Sequence, residues 1–440
     1  MQTHFTDEQR QDPDIQMADD ILRKCVHCGF CLATCPTYLL SGDERDSPRG
    51  RIYQIKTMLE EGEAASETVT THIDRCLSCL SCVTTCPSGV DYMHLVDLAR
   101  AKIEETNPRP PQDKAFRALL AAVLPRPRLF RAMLTMGRLA RPFTGLMPKK
   151  LRPAVAMAKS APARDATAKP QTFPAEGERK MRVALLTGCV QPALDPEINA
   201  ATVRLLTRHG VEVVVAEGMG CCGAMEHHMG RETAAKSRAR TNIAAWMAEA
   251  EKEGGLDAVV INASGCGTMV KDYGVILRLE PEAEPAQRIA GLAKDVTEIL
   301  ADLDLKPARE TGQVVAYQSP CSMQHGQKVD KLPKRLLSEA GFDVKSVPEG
   351  HICCGSAGTY NLLQPEWAGE LKARKAANIE SVQPDVIATG NIGCEMQLSD
   401  ATGIPIMHTV QLLDWATGGP EPEGLPAARP VEKTGEPEPV

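Results

Sequence analysis

The 440-residue chain is poor in aromatic residues: three Trp, six Tyr and seven Phe make up 4% of it. With so few rings and no recognised nucleic-acid motif it lacks a platform for stacking bases, and nucleic acid is not an expected partner. No stretch reaches the roughly 18 consecutive apolar residues of a membrane span, so a helical membrane protein is excluded. The first twenty residues are polar and acid-rich, unlike a cleavable leader. The expected location is therefore cytoplasmic and reducing, where thiols bind metal more readily than they pair. The dinucleotide fingerprint GxGxxG is missing, because Gly218-x-Gly220 and Gly265-x-Gly267 stop short of it, and there is no P-loop. No flavin, nicotinamide or ATP site is expected on this chain.

Against these absences stand sixteen cysteines. Eight fall in two runs, Cys25-x2-Cys28-x2-Cys31-x3-Cys35-Pro36 and Cys76-x2-Cys79-x2-Cys82-x3-Cys86-Pro87. This is the bacterial ferredoxin spacing for a [4Fe–4S] cube, in which the fourth cysteine of each run serves the other cluster. The expected ligands are Cys25, Cys28, Cys31 and Cys86 for one cube, and Cys76, Cys79, Cys82 and Cys35 for the second. Structural zinc sites use paired CxxC motifs instead. The runs lie 51 residues apart, and the insertion reads as helical: Ile52, Ile55, Met58 and Leu59 share a face, with Gly62 as a stop. Further helices are expected over 67–75 and around Leu95, Val96, Leu98 and Ile103.

The other eight cysteines form a second duplication. Cys189, the pair Cys221-Cys222-Gly223 and Cys266 correspond to Cys321, Cys353-Cys354-Gly355 and Cys394, and the first cysteine precedes the pair by 32 residues in both copies. Short apolar strands at 183–186, 211–216 and 258–262 alternate with helices at 201–209 and 232–253. The second copy repeats this with a strand from Val315, then helix 332–340, strand 344–347, helix 367–380 and strand 386–389. This alternation predicts parallel sheets with outer helices, and the cysteines follow strand ends, where open α/β sheets build sites. Each quartet is a candidate third metal site, for an iron–sulfur cluster or zinc. His227, His228, His351, Glu226, Tyr360 and His408 are weaker candidates, for proton transfer or ligation.

The fold class read from this pattern is multidomain: an all-helical two-cluster ferredoxin domain followed by a duplicated α/β Cys-Cys-Gly domain. The expected division is a loose polar lead-in (1–19), the ferredoxin domain (20–107), a basic helical segment with a flexible linker (108–180), the first repeat (181–310), the second (311–417) and a disordered tail (418–440). Residues 109–169 hold fourteen Lys or Arg against two acids, in a chain of net charge −7. Within this segment Leu129, Met133, Met136 and Leu139 form an apolar stripe flanked by Arg128, Arg131 and Arg138. The readings are packing on the neighbouring domain, a solvated linker, or docking to an acidic partner or anionic lipid.

Two ferredoxin runs followed by two Cys-Cys-Gly repeats resemble the iron–sulfur subunits of flavin-linked oxidoreductases. The stretches Leu186-Thr-Gly-Cys189-Val-Gln, Cys221-Cys-Gly-Ala-Met-Glu-His-His228 and Cys353-Cys-Gly-Ser-Ala-Gly-Thr-Tyr360-Asn-Leu-Leu are similar to the glycolate oxidase iron–sulfur subunit family. The resemblance runs from about Asp20 to Trp415. It implies partner subunits that bind FAD and oxidise glycolate, with D-lactate as a further substrate. It also implies that this chain carries electrons from reduced flavin toward a respiratory acceptor such as quinone, at the inner face of the membrane, and is not itself catalytic. Related D-lactate and glycerol-3-phosphate dehydrogenase subunits share the plan, and a reductase acting at its own third centre is the alternative. Heterodisulfide-reductase-type repeats end in CxxC and hold a cluster with five cysteines; here Met269 and Gln397 stand in the last position. That departure argues against a five-cysteine cluster and against disulfide reduction.

Overall fold

A computed structural model describes residues 1–107, 109–146, 155 and 165–428. Apolar residues at helical spacing build the amino-terminal unit. Helix α1 (Pro13–Lys24) starts at Asp12, whose side chain accepts the Asp14 N–H, and buries Ala18, Ile21 and Leu22. After the short α2 (Pro36–Ser41) comes α3 (Pro48–Glu61), capped by Ser47 and buried through Ile52, Ile55, Met58 and Leu59. It ends at Gly62 in the left-handed conformation that glycine adopts without a Cβ penalty. Helices α4 (Glu67–Asp74), α5 (Ser81–Thr85) and α6 (Tyr92–Thr106) complete the unit, and α6 adds Leu95, Val96, Ala99 and Ile103 to the shared core.

The first residues are not loose. Phe5 is buried in this core, and the terminal ammonium donates to the carbonyl of Cys25 at 2.6 Å and of Leu22 at 3.4 Å. Carbonyls at the end of α1 lack helical partners, and a cation with three donors satisfies them. This terminal cap has no signature in a polar sequence.

Helices α7 (Pro111–Val123) and α8 (Pro127–Ala140) follow, divided at Pro125 and Pro127, which cannot continue a helix. Leu120, Val123, Leu124, Phe130 and Leu134 pack around Ala193 of the first repeat, so the segment's inner face is a packing face. Much of the expected linker, 147–154 and 156–164, lies outside the described residues. Its end is built into the fold: Asp165 is buried and accepts from Asn199 Nδ2 at 2.9 Å, and β1 (Gln171–Phe173) pairs antiparallel with Val213, Val214 and Val215.

The first repeat holds β2 (Met181–Leu186), β3 (Val211–Val215), β4 (Ala258–Ile261) and β5 (Ala293–Asp295) in the order β1-β3-β2-β4-β5, parallel except for β1. The second has β6 (Val314–Gln318), β7 (Asp343–Ser346), β8 (Val386–Thr389) and β9 (Ile406–His408) in the order β7-β6-β8-β9, all parallel. The expected parallel sheets are therefore present, each extended by a three-residue strand, β5 or β9, too short to show in the apolar pattern. One core runs through both repeats. Helix Glu197–Arg208 meets helix Thr409–Ala416 across it, and Arg204 and Arg208 both reach buried Asp414, at 2.7 Å. The expected tail begins as packed chain: Leu425 is buried, and the Pro426 carbonyl accepts from Gln313 Nε2 at 3.1 Å. Residues 429–440 lie outside the described residues.

Candidate metal centres

Both ferredoxin runs fold by the same local device. His27 and Gly29 in the first run, and Ser78 and Leu80 in the second, have positive φ (57°, 86°, 50° and 62°). These are the second residue after the first cysteine and the residue after the second cysteine in each run. The alternation turns successive side chains toward one point. Three of the four are not glycine, and such conformations persist where the surroundings over-determine them. One cavity is lined by Cys25, Cys28, Cys31, Cys82 and Cys86. A second is lined by Cys35, Cys76, Cys79 and Cys82. The structure thus gathers the fourth cysteine of each run with the first three of the other. Two hollows walled by five and four thiols, with Cys82 on both, match the donor type of iron–sulfur clusters.

The two sites differ in surroundings. Cys28 is exposed and Cys31 and Cys86 half-buried, whereas Cys35, Cys76, Cys79 and Cys82 are all buried. Burial pushes the thiols of Cys79 and Cys82 well up, and that of Cys31 to about 11, so ligation must supply the compensating positive charge. The buried site also carries donors aimed at sulfur: Tyr92 Oη lies 3.7 Å from Cys76 Sγ and Arg51 Nη1 3.9 Å from Cys35 Sγ, while Thr37 Oγ1, which donates to the Asp46 carbonyl, contacts Cys35 Sγ at 3.3 Å. Arg51 is buried and remains a cation, because the Cys76 and Cys35 sulfurs, Tyr92 and Asp46 outweigh its desolvation. Arg100 holds the loop itself, donating to the Cys76 carbonyl at 2.7 Å.

In each repeat the four cysteines meet from three loops. Cys189, Cys221, Cys222 and Cys266 are linked thiol to thiol, as are Cys321, Cys353, Cys354 and Cys394, with 3.7 Å between Cys321 and Cys353. Hydrogen bonds from neighbouring thiols hold Cys221 and Cys354 well below the ordinary thiol value. The glycine after each pair has φ near 90° and faces a helix backbone: a Cβ on Gly223 would lie 3.0 Å from the Ala235 carbonyl, and one on Gly355 2.6 Å from that of Ala368. Seven residues past these alanines the copies diverge. Asn242 bonds the Cys221 carbonyl and Tyr273. Lys375 is buried and donates to the Glu349 carbonyl at 2.9 Å; burial pushes its amine down, and all four thiols of its quartet oppose that shift. Met269 is buried, and Gln397 bonds Asn361 and the Ala368 carbonyl.

The second quartet adjoins the buried ferredoxin site. Leu77 and Cys79 share one apolar cluster with Ile352, Cys353 and Tyr360, and after burial Cys321 is the charge that weighs most on Cys79. Tyr360 lies between the two sites: Arg51, Cys76 and Cys353 all act on its hydroxyl, which is buried without a hydrogen-bond partner. An orphaned donor there fits a further acceptor between the two cysteine sets. His325 joins the same units, with Nδ1 2.7 Å from Thr84 Oγ1 and Nε2 3.2 Å from the His351 carbonyl.

The first repeat meets the helical unit through ion pairs. His227 lies between Asp97 of α6 (3.2 Å) and Glu232 (2.7 Å), with His228 beside Asp97 at 3.8 Å. His94 of α6 bridges Asp91 and Asp272 at 2.5 and 2.9 Å. Glu226 pairs with Arg238 at 3.3 Å, and burial raises its carboxyl. Buried His408 is pushed down to about 4 by burial and contacts the Asn262 carbonyl at 2.8 Å. These candidates are placed as parts of the framework. Lys375, Arg51 and Tyr92 are missing from the sequence reading, although Lys375 shares the face of Ala368, Leu371 and Ile379, all buried, a pattern that marks a lysine facing inward.

Two thiol-walled hollows on a helical unit, joined to a duplicated cysteine-rich α/β body, define an iron–sulfur protein of the dicluster class. Residues 21–90 match the 4Fe-4S dicluster domain, and residues 183–271 and 315–399 each match the cysteine-rich domain. The chain is 43% identical over 418 residues to the glycolate oxidase iron-sulfur subunit of Escherichia coli (strain K12), covering 94% of this chain and 99% of that one. It is 33% identical over 407 residues to the probable glycolate oxidase iron-sulfur subunit of Bacillus subtilis (strain 168), covering 87% of this chain and 89% of that one. The chain belongs to the glycolate oxidase iron–sulfur subunit family. A solved structure of a hypothetical protein from Helicobacter pylori shares the fold, with a TM-score of 0.53 at 11% identity over 95% of this chain and 74% of that one.

Proposed function

We infer that this chain is the electron-transfer subunit of a flavin-linked glycolate oxidase complex. On this reading, Cys25, Cys28, Cys31 and Cys86 hold one [4Fe–4S] cluster and Cys76, Cys79, Cys82 and Cys35 hold the other. Bound there, the clusters supply one-electron chemistry. The observation that carries the reading is the continuity of three thiol sets: an exposed one at Cys28, a buried one at Cys76–Cys82, and the second-repeat quartet packed against it through Cys79 and Cys321. FAD and the oxidation of glycolate belong to partner subunits. The residues here hold the centres, exclude water from the inner two and balance their charge with Arg51 and Lys375. The quartets would hold further metal, and the second is assigned a third iron–sulfur centre because it adjoins the buried cube.

Electrons leave toward a respiratory acceptor, quinone, at the inner membrane face, with the chain on the cytoplasmic side. The support for a membrane contact is the outer face of α8: Leu129, Met136 and Leu139, with Phe143 beyond them, are exposed beside exposed Arg126, Arg128, Arg138 and Arg141. Apolar anchors within a basic field suit an anionic bilayer. No helix among the described residues is long and apolar enough to cross it.

The test is anaerobic co-purification with the FAD-binding subunits. The expected result is about eight irons for the two cubes and about twelve with a third cluster, and glycolate-dependent dye reduction that is lost in Cys28→Ala and Cys79→Ala. Zinc in place of iron, or unchanged activity in both variants, overturns the reading. Flotation with vesicles containing anionic lipid, lost in Met136→Glu, tests the membrane contact.

A further inference from the structure

We propose that the surface around Cys28, formed by Val26, Phe30 and Tyr53, is where the FAD-bearing subunit docks. The inference rests on the electron-transfer reading above and assigns its donor to one face of the chain. Val26, Phe30 and Tyr53 are 68%, 62% and 59% exposed, although large apolar side chains are normally withdrawn from water. They stand together. Val26 and Phe30 line the hollow that holds Cys25, Cys28 and Cys31. Tyr53 projects from α3 and meets His27 of the same loop edge-on at 6.5 Å. Two of the three are aromatic, the residue type that anchors protein interfaces. Polar Arg23, Lys24, Glu44 and Arg45 are exposed nearby in the chain, giving the patch a charged rim.

The position of the patch selects its occupant. Electron exchange falls off steeply with distance, so a donor must approach a thiol set that reaches the surface. Cys28 is the exposed cysteine of the sixteen. The other ferredoxin site is closed off by the second repeat, where Leu77 and Cys79 pack on Ile352, Cys353 and Tyr360. A partner seated on Val26, Phe30 and Tyr53 would bring its flavin to the first centre and shield that centre from water. The inner centre then leads away from the partner, toward the second repeat. An electron acceptor docked here would face the wrong end of this series.

The experiment uses the full chain co-expressed with its FAD-binding subunits. Phe30→Asp and Tyr53→Asp are made separately, with Leu279→Asp, exposed elsewhere on the chain, as control. Each variant is scored for iron content, for reduction of its clusters by dithionite and by glycolate, and for flavoprotein retained on co-purification. The expected result is that Phe30→Asp and Tyr53→Asp keep iron and dithionite reduction but retain about tenfold less flavoprotein or worse. Reduction by glycolate falls in step, while Leu279→Asp behaves as wild type. Because Tyr53 lies on a helix outside the cysteine loop, its variant decides the matter if Phe30→Asp loses iron. Full retention of flavoprotein in Tyr53→Asp overturns the proposal and leaves the electron-transfer reading standing. So does normal glycolate reduction with loss only of reoxidation by the acceptor, or a change only in self-association. A wild-type chain that retains no flavoprotein overturns both.

Discussion

Replacing Tyr92 by Phe removes one hydrogen bond to sulfur and little else. The hydroxyl is buried, 3.7 Å from Cys76 Sγ, and the ring keeps its shape, so burial of the site is unchanged. A donor to a thiolate ligand favours the more negative, reduced state of whatever metal the thiolate holds, and its loss lowers the potential. A single hydrogen bond contributes about 0.5–1.5 kcal/mol net. For a one-electron couple, where a tenfold change in equilibrium is 59 mV, this corresponds to a fall of roughly 20–65 mV. Thr37 is a poorer probe, because its hydroxyl donates to the Asp46 carbonyl and accepts from Arg51. The assay is a redox titration of the anaerobic protein followed by electron paramagnetic resonance. The centre involving Cys76 shifts downward and the exposed centre involving Cys28 does not. An unchanged or raised potential, or a shift confined to the exposed centre, refutes the reasoning.

Lys375→Met removes the buried cation beside the second quartet and should lower the potential of metal bound there by roughly 60 mV or more, about 1.4 kcal/mol, or cost that metal altogether; iron analysis and the same titration separate these from no effect. His94 is half-buried, which disfavours its charged form, yet the carboxylates of Asp272 and Asp91 raise it to about 10. Its folded value lies above the unfolded value, so its stabilisation is complete below about pH 6.5 and fades as pH rises toward 10. The gap in unfolding temperature between wild type and His94→Asn should therefore shrink from pH 7 to 10, and a constant gap contradicts the assignment. Phe5→Ala should destabilise the helical unit by about 3–5 kcal/mol, measured by denaturant unfolding; a loss below about 0.5 kcal/mol would mean that the first residues do not pack as described. Gly355→Ala forces a Cβ against the Ala368 carbonyl at a left-handed position and should cost more stability or metal retention than Gly223→Ala, whose contact is looser.

The gathering of the ferredoxin cysteines was legible because cysteine spacing is a local constraint: three cysteines of each group come from one loop, and the fourth comes from the duplicated run. The repeats were legible because buried parallel strands carry continuous apolar runs, at 183–186 in β2, 258–261 in β4 and 386–388 in β8, and the helical unit because α3 and α6 carry clear apolar faces. Less legible was whatever depends on distant partners. Phe5 is a single apolar residue in a polar stretch, buried only because α1 and α3 lie beside it. Strands β5 and β9 have three residues each and gain their identity from β4 and β8. His227 and His228 look like ligands in sequence and meet Asp97, far away in the chain, as partners. Lys375 reads as one more surface lysine until α-helical spacing places it with Ala368, Leu371 and Ile379.

The most direct test of the central claim is rapid-freeze paramagnetic resonance after glycolate is added anaerobically, to this chain alone and to the chain joined to its FAD-binding subunits. The account expects reduced iron–sulfur signals in the joined sample and an oxidised, silent chain alone. Reduction of the isolated chain by glycolate, or turnover of the joined sample with no change in its iron–sulfur signals, would contradict it.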